Sequence, residues 1–246
     1  MIALTWLQRS GEGVPVVFIP GIDGSSGSVE PIAQRLAAAR SVAIVDYGGE
    51  NQASLEALAD AIRTHLADEL DRPFDLVGQS IGSILAARVA ASEPRVRKLV
   101  LCAAFTRVRN VALKISSFIS RHSPPWFYRF TTYPTLALAC GPVGDGWRHP
   151  LFAGAAQSHP QGVARRTLWQ VGQDFSATIA MPGQPVLVLM GARDRFVPDI
   201  GRETARLRQL LARANAHVES LPGAGHVFLP SAAVARAAGR IEEFLS

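Results

Sequence analysis

One pentapeptide and its flanks constrain the fold more than any other part of the chain. Gly78-Gln79-Ser80-Ile81-Gly82 follows the apolar run Phe74-Asp75-Leu76-Val77 and precedes Ser83-Ile84-Leu85-Ala86-Ala87-Arg88-Val89-Ala90-Ala91. The first run has the length of a strand, and the second reads as a buried helix. A serine on so sharp a strand-to-helix turn is forced into a strained backbone conformation, and the two glycines let neighbouring elements pass close to it. The hydroxyl then stands exposed at the end of the sheet, with a helix N-terminus beneath it. Ser80 is therefore the candidate nucleophile. The competing reading is a Gly-Ser turn that serves packing alone.

The rest of the chain supplies the sheet such a turn needs. Apolar runs of strand length are expected at Pro15 to Ile19, Val42 to Tyr47, Asp75 to Val77, Leu99 to Ala103, Pro185 to Met190 and His217 to Leu221. Helix-period segments alternate with them: Val29 to Ala38, Leu55 to Leu70, Ile81 to Ala91, Gly201 to Ala214 and Ala232 to Phe244. Fully apolar strands that alternate with helices predict an α/β fold. Its sheet is mostly parallel and covered by helices on both faces.

The alternation breaks between about Phe105 and Pro182. This stretch predicts a few short helices broken by turns, inserted within a single domain rather than forming a second one. Its aromatic residues include Phe118, Trp126, Phe127 and Phe130. An insertion after that strand is expected to lie over the strand ends as a lid, and these four residues are the candidate acyl-pocket lining. Ordinary packing of lid on core is the plainer account of the same residues. The insertion is also basic. From Thr106 to Met181, Arg107, Arg109, Lys114, Arg121, Arg129, Arg148, Arg165 and Arg166 face only Asp145 and Asp174. That excess is either a solvated surface or a means of attracting an anionic substrate or carrier.

Composition excludes several other classes. With 246 residues, 48% of them hydrophobic, the chain can bury one large core. Cys102 and Cys140 are its two cysteines, too few for a disulfide framework or a zinc spacing. No run reaches membrane-spanning length, and Met1 to Arg9 lacks the features of a signal peptide. The expectation is a soluble, cytoplasmic protein without metal or organic cofactor. The net charge of +5 comes with no recognisable nucleic-acid module, so nucleic acid is not expected as a partner.

A serine hydroxyl needs a base within hydrogen-bond reach, and the base needs a third group to fix its tautomer. Among the histidines, His226 follows the last predicted strand in the glycine-rich run Pro222-Gly223-Ala224-Gly225-His226, where an imidazole can reach the strand ends. His65, His122, His149, His159 and His217 read as surface or locally bonded residues. Asp194, just past the strand ending at Met190, is the candidate acid. Asp199 is the runner-up in the same loop, Asp174 is a remote third, and Asp46 more readily orders its own loop. A tetrahedral intermediate would need two N–H donors. Ile81, directly after the nucleophile, offers one. The loop Pro20-Gly21-Ile22-Asp23-Gly24 offers the other, from Ile22 or else from Asp23.

Taken together, these residues resemble the α/β-hydrolase superfamily across essentially the whole chain. The resemblance rests on Gly78-Gln79-Ser80-Ile81-Gly82, Gly191-Ala192-Arg193-Asp194, Gly225-His226 and the loop after the first long strand. It implies an α/β-hydrolase fold and the chain order Ser80, Asp194, His226. Many members carry His-Gly in the oxyanion loop, and here Pro20 stands in place of that histidine. The Pro-Gly-Ile-Asp-Gly-Ser run is similar to the corresponding loop of fatty-acid and polyketide synthase thioesterase domains. The reading is a serine hydrolase of a small-molecule carboxylic ester or thioester, acting through an acyl-enzyme. Acyl transfer, carbon–carbon hydrolysis or a lyase step could use the same site. A non-catalytic binding protein is the alternative from another class.

Overall fold

The sheet is organised by what happens on either side of its second strand. The structure is a computed structural model, and it describes residues 2–49, 52–108, 111–124, 126–131, 150–197, 199–212, 215–228 and 231–246. The strands are β1 (Ala3–Gln8), β2 (Glu12–Ile19), β3 (Arg40–Asp46), β4 (Phe74–Gln79), β5 (Val96–Cys102), β6 (Val186–Gly191) and β7 (Ala216–Leu221). They lie in the order β1-β3-β2-β4-β5-β6-β7, and only β1 is antiparallel to its neighbour. The chain leaves β2 towards β3 on one side and later returns through β4 on the other. Such a reversal of strand order opens a crevice at the carboxyl ends of β2 and β4.

Side-chain alternation along each strand feeds two cores. Val16 and Phe18 of β2 point to one face, where they meet helices α1 (Glu30–Ala37) and α10 (Ser231–Leu245). Val17 and Ile19 point to the other, against α2 (Leu55–Glu69), α3 (Ile81–Ser92) and α9 (Ile200–Leu210). Burying each such aliphatic side chain stabilises the fold by about 1.5–3 kcal/mol. Because both faces are covered, the central strands read as unbroken apolar runs in the sequence. β1 is different, and the sequence reading assigned no strand there. It is an edge strand with alternating exposure, tied to the sheet through β3, with Leu4 and Trp6 turned onto the core.

Between β5 and β6 the chain forms α4 (Val111–His122), α5 (described over 126–131), α6 (Pro150–Gln157), α7 (Pro160–Gln170) and α8 (Ser176–Ala180). These are the short helices broken by turns that the sequence predicts. α4 packs on α7, while α6 packs on a 3-10 turn at Ser26–Ser28 that follows the β2 exit loop. Two of the basic residues in this stretch are not free surface charges: Arg166 is buried, and Arg107 is paired with Asp174. Lys114, Arg121 and Arg129 are exposed, whereas Arg109, Arg148 and Cys140 lie outside the described residues. Among the described residues no helix is long and apolar enough to cross a membrane.

The elbow glycines are fixed by close approach. A methyl group on Gly82 would come within 2.3 Å of the carbonyl oxygens of Ile19 and Pro20, and one on Gly78 within 2.3 Å of the Gly82 oxygen. Gly239 in α10 faces open space. Gly82→Ala is therefore expected to destabilise the protein by at least about 2 kcal/mol through overpacking against backbone that cannot retreat. Gly239→Ala should stabilise it by about 0.5–1 kcal/mol, because alanine has the better helix propensity and restricts the unfolded chain. Urea midpoints of the two variants test this, and equal shifts would contradict it.

Candidate active site

Ser80 sits between β4 and α3 with φ 58° and ψ −124°, a conformation that costs a non-glycine residue about 1–3 kcal/mol. The surroundings enforce it. Its N–H donates to Cys102 O at 2.9 Å at the end of β5, and its carbonyl accepts from Ser83 N at 2.9 Å. The Ser83 hydroxyl lies 3.0 Å from both Gly78 O and Cys102 O, which ties the first turn of α3 back to two strands. The hydroxyl of Ser80 is then presented to His226.

The loops after β6 and β7 bring an acid and a base to it. A methyl group on Gly191 would lie 2.2 Å from Gly225 O, so the absence of a side chain lets the two loops touch. Arg193 N donates to Ala224 O at 2.8 Å and locks them together. In consequence His226 Nδ1 lies 2.7 Å from Asp194 Oδ2, and His226 Nε2 lies 2.8 Å from Ser80 Oγ. All three residues are buried. Asp194 Oδ1 accepts from Phe196 N at 2.8 Å and Val197 N at 3.1 Å. Burial works to raise the Asp194 carboxyl. The electrostatic attraction and hydrogen bond of the His226 ring, with the two backbone N–H groups, outweigh burial and hold the carboxyl below its usual value. An ionised carboxylate only accepts, so Nδ1 carries the imidazole proton and Nε2 is left to accept from the Ser80 hydroxyl. In this arrangement the imidazole can take the serine proton while Asp194 steadies the charge that forms.

The other candidate acids do different work. Asp199 caps α9, accepting from Arg202 N at 3.3 Å, and is solvent-exposed. Asp174 bonds Arg107 and the start of α8. Asp46 accepts from Gly48 N at 3.0 Å, ordering its own loop. Asp23 is buried beside Ser25, and burial raises its carboxyl despite that hydrogen bond. His122 packs at a tilt against Phe118 and His159 precedes α7, while His149 lies outside the described residues.

The β2 exit loop lies against the nucleophile: a methyl group on Gly21 would be 3.7 Å from Ser80 Cβ. Among the described residues neither the Ile22 N–H nor the Ile81 N–H has a hydrogen-bond partner. Ile81 is the first residue of α3, where an N–H has no intrahelical acceptor. Phe118, Trp126, Phe127 and Phe130 stand exposed on α4 and α5. None of them is stacked on the three buried residues.

The ring that does pack there is Phe196, with its centroid 4.5 Å from that of His226. Sequence reasoning missed it, and it also missed Gln79, whose Nε2 donates to His226 O at 2.8 Å. Position was the available signal for both: Gln79 directly precedes the serine, and Phe196 lies two residues past the acid. Cys102 is buried in the core, and burial raises its thiol. Among the described residues no group of three or more His, Cys, Asp or Glu side chains could hold a metal ion.

Comparison with known proteins adds to this geometry. A pimeloyl-[acyl-carrier protein] methyl ester esterase of Neisseria meningitidis is 33% identical over 212 residues, covering 78% of this chain and 81% of that protein. The AMB antimetabolite synthetase AmbE of Pseudomonas aeruginosa is 34% identical over 96 residues, and the match spans 35% of this chain but only 4% of that protein. The solved enol-lactonase of Burkholderia xenovorans LB400 superposes with a TM-score of 0.80 at 17% identity, covering 99% of this chain and 96% of that one, which shows a shared fold. The model of the alpha/beta hydrolase family matches residues 16–238, from β2 into α10. The chain belongs to the alpha/beta hydrolase family.

Proposed function

We propose that this protein is a serine hydrolase that cleaves a carboxylic ester or thioester through an acyl-enzyme. The observation that carries the proposal is the unbroken row of hydrogen bonds from Ser80 through His226 to Asp194, at 2.8 and 2.7 Å. In this reading Ser80 Oγ attacks the carbonyl carbon as His226 Nε2 takes its proton. The oxyanion is held by the N–H groups of Ile22 and Ile81. His226 returns the proton to the leaving group, and a water molecule then uses the same base to release the acid. The lid is the helical insertion over approximately 105–182, in one domain with the core. The exposed aromatic face of Phe118, Trp126, Phe127 and Phe130 on that lid meets the acyl chain.

The same reading extends to what the acyl group is carried on. The exposed Lys114, Arg121 and Arg129 put positive charge on the helices that bear this aromatic face. The esterase relatives are named for a pimeloyl group on an acyl-carrier protein. Both favour an apolar acyl group attached to an anionic carrier. Charge of this kind speeds encounter and is screened by salt over about a Debye length, roughly 10 Å at 0.1 M.

Ser80→Ala is expected to lower turnover on the order of 10⁴-fold or more with the fold intact, as read by steady-state kinetics and circular dichroism. More than about a tenth of wild-type activity in that variant would remove the mechanism. Asp194→Asn should be far more damaging than Asp199→Asn, since asparagine is as good a helix cap as aspartate and Asp199 does not touch His226. Equal losses would remove Asp194 as the acid. For the carrier, kcat/KM of an acyl-CoA should fall with salt while that of a matched neutral ester should not. The charge is a bystander if the neutral ester is preferred and neither rate responds to salt.

A further inference from the structure

The loop that would receive the oxyanion is held from behind by two side chains that take no part in the proton relay. Tyr47, directly after β3, is fully buried, and its hydroxyl lies 2.7 Å from Pro20 O and 2.6 Å from Gly21 O. Arg166, on α7, is also buried. It donates from Nε to Ile22 O at 2.6 Å and from Nη2 to Asp23 O at 3.0 Å. The guanidinium carbon lies 5.5 Å from the centroid of the Tyr47 ring. Gly24 N closes the turn onto Gly21 O at 2.9 Å, and Gly21 N donates to Ser28 Oγ at 3.2 Å.

These contacts address consecutive peptide planes. In a trans peptide the C=O and N–H point in opposite directions. The hydroxyl on Gly21 O therefore turns the Ile22 N–H away from Tyr47, and the donor on Ile22 O pins the next plane. With both planes held, φ and ψ of Ile22 are fixed. A carbonyl that accepts a hydrogen bond also polarises its own peptide unit and strengthens the N–H at the other end. Among the described residues the Ile22 N–H has no hydrogen-bond partner. Among the described residues this buried arginine makes two bonds to carbonyls and none to a carboxylate, an expensive arrangement for packing alone.

The geometry points to Tyr47 and Arg166 as positioning residues that aim and strengthen the Ile22 N–H donor. Arg166 also makes that donor depend on the docking of α7 from the segment between β5 and β6. This inference rests on the hydrolase reading above and deepens it.

The test compares the wild-type protein with Tyr47→Phe, Arg166→Lys, Arg166→Met and Ser80→Ala on a neutral p-nitrophenyl ester. Tyr47→Phe keeps the ring under the guanidinium and removes only the hydroxyl, so it remains informative if Arg166→Met fails to fold. The expected result for Tyr47→Phe is a kcat about 10- to 100-fold lower with KM within about threefold, less than the loss of an oxyanion donor outright. Arg166→Lys, with charge but no two-pronged fork, should keep more kcat than Arg166→Met. Affinity for a boronic acid that forms a tetrahedral serine adduct should fall in step with kcat, which a merely structural role would not produce. Wild-type kcat in Tyr47→Phe and Arg166→Lys beside an inactive Ser80→Ala overturns this inference alone, as does a change confined to KM. An active Ser80→Ala overturns the hydrolase reading and this inference together.

Discussion

Everything in the crevice depends on how closely the exit of β2 passes the first turn of α3. That separation is set by a missing side chain, since any β-carbon on Gly82 would collide with the Ile19 and Pro20 carbonyls. The contact lies where strand order reverses, so β2 and β4 hand their chains to opposite faces of the sheet. Helices α1 and α3 thus diverge while the two loops stay together. The strained backbone of Ser80 follows from this, because the chain must turn within one residue to clear β2 and still bond the end of β5. The strain is offset by the apolar surface that β4 and α3 bury on either side of the turn.

Two buried polar systems flank the serine, and they solve the same electrostatic problem differently. On one side Asp194 stays ionised because an imidazole and two backbone N–H groups face it. On the other, Arg166 has backbone carbonyls as its direct partners, and burial works to lower its guanidinium. Away from water both sets of bonds are stronger than they would be at the surface, and each member would be costly to leave alone. The crevice is therefore stiff on both walls before any ligand enters.

What could be read from the sequence follows from which interactions leave a pattern. Strands buried on both faces leave apolar runs, so the central strands were legible with ends shifted by a few residues; β7, an edge strand with His217 and Ser220 exposed, was legible as well. β1 left only a faint alternation beside one neighbour and was passed over. Ser80, Asp194 and His226 were chosen by the turns that carry them, and the structure has their side chains in hydrogen-bonded sequence. Tyr47 and Arg166 act on backbone carbonyls, which have no sequence identity, so no spacing announces them. Arg166 was counted with the surface charges because arginine is seldom fully buried. Its role appears only once α7 is seen against a loop 144 residues earlier.

Cys102 gives the elbow an internal reporter. Its carbonyl holds the Ser80 N–H and the Ser83 hydroxyl, while its side chain lies in the core shared by α1 and α10. The thiol is sealed from solvent and kept protonated by burial, so it is inert to alkylating reagents while the sheet is closed. Reagent can reach it only when the cover of that core opens, a cover that includes α1, α10 and Leu151 and Phe152 of α6. The rate at which this one sulfur is labelled is thus a clock for the opening of that face of the sheet, the docking of α6 included.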